Sequence, residues 1–280
     1  MQKIDTTAGR AKVRDGTEIA YTLYRNADSD QRAVLVHSLA MDQNFWKPVA
    51  EQLVRRASIL LYDCRGHGES GKPPGQYTVG LFGDDLADLL AHVGWNSALV
   101  AGASMGGAVA IQFAGVHPER TAGLGLIDTT AWYGPTAPKD WEARAERALK
   151  NGLEELVEFQ TTRWFSGAYL AAKPKVARQC VQTFLRNDVQ AYAQTCRMLG
   201  AFDGRNQLDG LRMPTSIVVG EEDYATPRAM AEAMHGSIAG STLTVIPSVR
   251  HLTPIECPEL IAGDLGRLLD RAGPMRRASP

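Results

Sequence analysis

Cysteine is scarce and scattered in this chain of 280 residues: Cys64, Cys180, Cys196 and Cys257 are the only four. No two stand in C-x-x-C spacing, which argues against a zinc knuckle, a thioredoxin-type motif or a disulfide scaffold and points to reduced thiols. Long apolar runs are missing as well. No stretch approaches the roughly 18 apolar residues of a membrane span, and Met1-Gln2-Lys3-Ile4-Asp5 lacks the apolar segment of a signal peptide. A cytoplasmic protein without membrane contact is therefore expected. Charge of one sign is absent too: 30 Lys and Arg against 31 Asp and Glu leave a net charge of -1. With no long run of either sign, the electrostatic footprint of a nucleic-acid binder is missing. A small molecule is the expected partner, and a homo-oligomer stays open. No histidine and carboxylate cluster has metal-site spacing, so neither metal nor cofactor is expected.

What is present is the composition of a globular domain, 44% hydrophobic and 22% charged. The length suits one large domain or a domain carrying an insertion. From Ala11 to Arg25 two β-like runs flank Asp15-Gly16, a hairpin signal. Strand-like runs then alternate with helical patterns: a strand at 33–36, a helix through Trp46 and Leu53, a strand at 58–62, a helix at 79–93, a strand at 98–101 and a helix at 104–116. Such alternation implies an α/β fold, a mostly parallel sheet covered by helices on both faces. After a strand at 123–127 the period turns helical for about 80 residues. The sheet pattern resumes at 215–219, with a further strand at 242–246 and a last helix at 258–269. The expected organisation is a core of residues 1–131 and 212–272, a helical cap of 132–211, and a flexible tail, 273–280.

Gly102-Ala103-Ser104-Met105-Gly106 reads G-x-S-x-G where an apolar strand runs straight into a helix. A turn that tight needs small neighbours and presents the serine oxygen above the carboxyl edge of the sheet, which makes Ser104 the candidate nucleophile. A serine hydroxyl needs a histidine base, and the base needs a carboxylate. Downstream of Ser104 stand only His117, His235 and His251. His117 closes the helix that begins at Ser104, and His235 ends another; His251 follows a strand after a short loop and reaches the same sheet edge as Ser104. Asp223, just after the strand 215–219, is the preferred acid; Glu222 and Asp128 are its rivals. The oxyanion donors are expected to be the backbone amides of Met105 and of Leu39, in the loop after the strand 33–36.

The elbow around Ser104, Asp223, His251 and the turn Asp63-Cys64-Arg65-Gly66-His67-Gly68-Glu69-Ser70 together resemble the α/β-hydrolase superfamily over almost the whole chain. The resemblance implies the α/β-hydrolase fold and a structural His67. Within the superfamily, His37-Ser38-Leu39, Ser104-Met105-Gly106-Gly107, Arg163-Trp164-Phe165 and Ala225-Thr226-Pro227 are similar to 3-oxoadipate enol-lactonases. This implies a cofactor-independent serine hydrolase of carboxylic esters or lactones. A carbon–carbon bond hydrolase or a perhydrolase would use the same groups, and a non-catalytic small-molecule receptor would keep the scaffold. Trp132, Tyr133, Trp164 and Phe165 are expected to line the pocket, with Arg163 meeting a substrate carboxylate. Thr129-Thr130-Ala131-Trp132-Tyr133 departs from the subgroup by placing aromatics where a more polar, arginine-containing stretch is expected.

Overall fold

The computed structural model describes residues 4–273 and 275. Its eight strands are β1 (Ile4–Lys12), β2 (Glu18–Asn26), β3 (Arg32–Val36), β4 (Ser58–Tyr62), β5 (Ala98–Ala103), β6 (Thr121–Ile127), β7 (Thr215–Gly220) and β8 (Thr242–Ile246). They form one sheet in the order β1-β2-β4-β3-β5-β6-β7-β8. β1 and β2 pair antiparallel, as does β2 with β4, and all pairs from β4 to β8 are parallel. The hairpin turns at Gly16, whose φ of 89° suits glycine. β1 reaches back to Ile4, well before the arm expected from Ala11. An edge strand exposed along nearly all of its length carries no burial alternation to read.

The core helices are α1 (Lys47–Leu53), α2 (Val79–His92) and α3 (Met105–Val116). Between β6 and β7 the chain passes through α4 (Ala137–Asn151), α5 (Val157–Trp164), α6 (Gly167–Ala172), α7 (Pro174–Leu185), α8 (Val189–Ala201) and α9 (Arg205–Leu208). α10 (Arg228–Ser237), α11 (Thr253–Glu256) and α12 (Pro258–Ala272) complete the fold. α1 packs on α12 and α2 on α3, so the parallel strands are covered on both sides. This is why β5 is buried at every position and reads as a continuous apolar run.

The short α6 and α9 fall within the helical stretch expected between β6 and β7. α9 lies against α3 of the core, where Gln207 donates to Gln112 Oε1 at 2.8 Å. At the carboxyl end, Arg271 donates to the Gly240 carbonyl at 2.9 Å and Met275 is buried. The rest of the tail expected from Gly273 lies outside the described residues.

One feature of the strand order positions the site. The crossover from β3 goes to β4 on one side, while β5 returns to the other side of β3. The crevice between β3 and β5 is thus a topological switch point, where ligands of open parallel sheets bind beyond the carboxyl ends of the strands. The loops after β3 and β5 carry Leu39 and Ser104. The turn 63–70 braces this edge. Arg65 is buried and donates to Asp85 at 2.6 Å, and Asp63 accepts from the Gln43 and Glu69 amides at 2.6 and 2.8 Å.

Candidate active site

Ser104 connects β5 to α3 with φ 54° and ψ -117°, a conformation that costs a non-glycine residue about 1–3 kcal/mol. The turn closes because Gly102 and Gly106, two residues to either side, lack side chains. A β-carbon on Gly102 would sit 1.9 Å from the Gly106 carbonyl oxygen, and one on Gly106 would sit 2.1 Å from that of Val36. The Ser104 amide donates to Ile127 O at 3.0 Å and Thr129 Oγ1 donates to Ser104 O at 2.7 Å, so β6 holds the strained turn in place.

Three side chains meet above the sheet edge. Ser104 Oγ lies 2.9 Å from His251 Nε2, and His251 Nδ1 lies 2.8 Å from Asp223 Oδ2. With Nδ1–H donating to the carboxylate, Nε2 is left to accept the serine proton. Asp223 Oδ1 accepts from the Ala225 and Thr226 amides at 2.7 and 2.9 Å, and Oδ2 also accepts from Thr226 Oγ1 at 2.8 Å. These bonds give Ala225-Thr226 a physical role: they hold the carboxylate in place beside the imidazole. Burial pushes the Asp223 carboxyl up, but the histidine and the Thr226 donors outweigh it and keep it below its ordinary value. Burial likewise pulls His251 down, but the Asp223 charge and hydrogen bond outweigh it and hold the imidazole above 6.5.

The two rival acids are engaged elsewhere. Glu222 faces Arg250, 3.5 Å away. Asp128, fully buried at the end of β6, accepts from the amides of Gly220 at 3.1 Å and Thr253 at 3.0 Å and from Thr253 Oγ1 at 2.6 Å. Burial and the neighbouring Asp223 charge push its carboxyl up to about 8. It ties β6, β7 and α11 together behind the histidine loop. That loop is also stitched to the end of α5: the His251 and Leu252 amides donate to the carbonyls of Arg163 and Trp164 at 3.4 and 3.0 Å.

The Leu39 and Met105 amides donate to no other group among the described residues. The loop carrying Leu39 is set by His37, whose Nδ1 bonds the Ser38 carbonyl at 2.8 Å while Nε2 accepts from the Cys64 amide at 2.9 Å. His67 packs edge-on against His37 at 5.1 Å, and burial pulls it down to about 3, so it stays neutral within the wall. His235 bonds Ser241 at 2.8 Å and His117 approaches Glu119 at 3.9 Å; neither meets Ser104.

A cavity of about 410 Å³ opens over Ser104 and His251. Tyr133, Arg163 and Trp164 line it, along with Leu39, Arg144, Phe159 and Tyr224. The Tyr133 hydroxyl is buried with no hydrogen-bond partner among the described residues. Two of the expected lining residues stand off the cavity. Trp132 makes a β-bridge with Asp203 and is covered by the Arg205 guanidinium 3.7 Å from its ring. Phe165 is fully buried and stacks on Tyr169 with ring centroids 5.0 Å apart. Trp132 is held in its bridge before α4, and Phe165, at the C-terminal end of α5, turns away from the cavity that Trp164 lines. Arg144 was not singled out by the sequence; on α4 its only signal is its spacing of three from Trp141, which sets both on one helix face. Among the described residues no group of three or more His, Cys, Asp or Glu side chains is arranged to hold a metal ion, and no helix is long and apolar enough to cross a membrane.

Comparison with known proteins adds a second line. The sequence profile of the alpha/beta hydrolase family matches residues 33–264. The chain is 32% identical to 3-oxoadipate enol-lactonase 1 of Acinetobacter baylyi over 81% of this chain and 84% of that one. Among solved structures, the enol-lactonase from Burkholderia xenovorans LB400 superposes with a TM-score of 0.89 at 28% identity, covering 94% of this chain and all of its own. A thermophilic esterase from Thermogutta terrifontis, with malate bound, gives 0.88 at 29% identity, covering 95% and 99%.

Proposed function

Because this chain belongs to the alpha/beta hydrolase family and is an ester or lactone hydrolase, we propose that it works through an acyl-enzyme on Ser104. His251 is the general base and Asp223 its carboxylate partner, and the Leu39 and Met105 amides are the oxyanion donors. Tyr133, Arg163 and Trp164 line the substrate site, and the helices between β6 and β7 act as its cap. The observation that carries this reading is the unbroken hydrogen-bond line Ser104 Oγ, His251 Nε2, His251 Nδ1, Asp223 Oδ2.

The steps follow from that line. His251 takes the serine proton as Oγ attacks the carbonyl carbon, and the negative charge forming on the carbonyl oxygen is met by fixed amide donors that need no reorganisation. The imidazolium is stabilised by Asp223 and then gives its proton to the departing oxygen, breaking the ester bond. Water, activated by the same histidine, attacks the acyl-enzyme, releases the acid and restores Ser104. In a lactone the departing oxygen remains tethered to the acyl group, so one product leaves in place of two.

With p-nitrophenyl acetate, the expected result is a pre-steady-state burst of nitrophenolate approaching one per site, followed by slower turnover. Absence of both burst and turnover across short esters and lactones would count against the proposal. The pH profile gives an independent check. His251 must be neutral to accept the proton, and its pKa lies above the ordinary value. The value of kcat/KM is therefore expected to rise with pH along a basic limb whose midpoint lies above about 6.5. A profile measured from pH 5 to 9 that stayed flat, or turned below that midpoint, would contradict a histidine base held by Asp223.

A further inference from the structure

Tyr133 brings to the cavity over Ser104 a hydroxyl that the fold leaves unsatisfied. Its Oη is buried and has no hydrogen-bond partner among the described residues, although the residue lines the cavity. The tyrosines on the helices between β6 and β7 are paired by contrast: Tyr169 donates to the Ile255 carbonyl at 3.1 Å, and Tyr192 Oη accepts from Arg144 at 2.7 Å. A buried donor whose bond is unmade is a cost to the folded state. At a cavity wall, a bound substrate is the group that offsets it.

The hydroxyl is also held in place. Tyr133 stands in the loop between β6 and α4, and that loop is pinned along its length. Thr129 Oγ1 donates to Ser104 O at 2.7 Å, and the Gly204 amide donates to the Ala131 carbonyl at 2.8 Å. Thr130 Oγ1 accepts from the Trp132 amide at 3.1 Å and donates to the Trp132 carbonyl at 2.9 Å. The tyrosine ring itself meets Trp141 edge-on, with centroids 5.3 Å apart. A donor held this way needs no reorganisation when charge develops in front of it.

The strand order shows which substrate atom it meets. Leu39 follows β3, on one side of β5 and Ser104, whereas Tyr133 follows β6 on the other side, towards β7 and β8. Those two strands lead to Asp223 and His251. The Ser104 hydroxyl and the Asp223 charge both act on Tyr133 Oη, without Ser104 closing a hydrogen bond to it. With the carbonyl oxygen turned towards the Leu39 and Met105 amides, the substrate oxygen on the histidine side is the departing one. Burial pushes the Tyr133 hydroxyl above its ordinary value, so it keeps its proton at working pH and acts as a donor.

We propose that Tyr133 is a further catalytic residue, whose hydroxyl donates a hydrogen bond to the departing ester or lactone oxygen. The inference rests on the reading of Ser104, His251 and Asp223 as the hydrolytic groups. As the bond between the carbonyl carbon and the departing oxygen breaks, its electron pair goes to that oxygen and the proton comes from His251 Nε2. Tyr133 retains its own proton throughout and lowers the cost of the charge that builds up before the transfer is complete.

The test uses three acetates that differ only in the departing group: 4-nitrophenyl, phenyl and ethyl acetate. Nitrophenolate spreads its charge into the ring and leaves readily, whereas ethoxide keeps the charge on oxygen and needs help. Tyr133→Phe is expected to lower kcat/KM for ethyl acetate by about tenfold to a hundredfold, the size of a hydrogen bond to a charged group. For 4-nitrophenyl acetate the loss is expected to be about threefold or less, with phenyl acetate between. A merely structural role would lower all three in the same proportion. Phenylalanine keeps the ring against Trp141 and removes a hydroxyl that makes no bond in the fold, so Tm is expected not to fall. Equal losses for the three esters, no loss for ethyl acetate, a wild type that turns over only the nitrophenyl ester, or a Tm lowered by several degrees would each overturn the assignment. The nitrophenolate burst separates the two levels: a burst in wild type with equal losses in Tyr133→Phe removes Tyr133 alone, whereas no burst and no turnover of any ester in wild type removes the hydrolytic reading with it.

Discussion

Replacing Ser104 with alanine is expected to lower kcat by about five to six orders of magnitude, the loss seen when a serine nucleophile is removed from an assembled triad. The fold should be untouched. Alanine meets the same backbone strain at φ 54°, and the bonds that hold the turn, Ser104 N to Ile127 O and Thr129 Oγ1 to Ser104 O, involve only main-chain atoms of residue 104. His251→Ala is expected to cost about as much, and the double variant little more, because the two act as one unit. Circular dichroism with steady-state hydrolysis of p-nitrophenyl acetate checks this. A folded Ser104→Ala enzyme with near-wild-type turnover would remove Ser104 from the chemistry.

Asp223→Asn is expected to lower kcat by about 10⁴, the size seen when such a carboxylate becomes an amide. The local hydrogen bonds explain why. The Ala225 and Thr226 amides both donate to Oδ1 and so require an acceptor there. The new NH₂ must then occupy the place of Oδ2, which faces His251 Nδ1. Two donors would oppose each other unless the histidine moves its proton to Nε2, and that tautomer cannot accept from Ser104. The basic limb of the pH profile is also expected to shift down, since the charge that outweighs burial at His251 is lost. Asp128→Asn, one strand away, is expected to cost far less activity because its oxygens serve Gly220 and Thr253. If Asp128→Asn proved the more damaging change, the assignment of the acid would have to be reversed.

What was legible in the sequence, and what was not, follows from how each feature is encoded. The elbow is written in local steric terms, since only glycine fits at 102 and 106, and that requirement survives as a readable pattern. Asp223 and His251 are legible through topology: each follows a parallel strand, and parallel strands deliver their following loops to one edge. The helices between β6 and β7 are harder. They share a periodicity with any amphipathic helix, so the sequence shows a helical stretch without showing which face turns to the cavity. Trp132 and Phe165 were expected in the pocket and instead pack away from it, while Arg144, which the sequence did not single out, lines it. β1 was read short because nearly all of it is exposed, and its length is set by its register with β2, from Ile4 opposite Asn26 to Lys12 opposite Glu18.

The measurement that bears most directly on the central claim is mass spectrometry of the intact protein after incubation with a fluorophosphonate, followed by peptide mapping. The account predicts one phosphonyl adduct per chain, located on Ser104, formed faster as pH rises along the same limb as hydrolysis and absent in Ser104→Ala. Labelling at another residue with activity lost in step, or full activity in a protein carrying the adduct at Ser104, would contradict it.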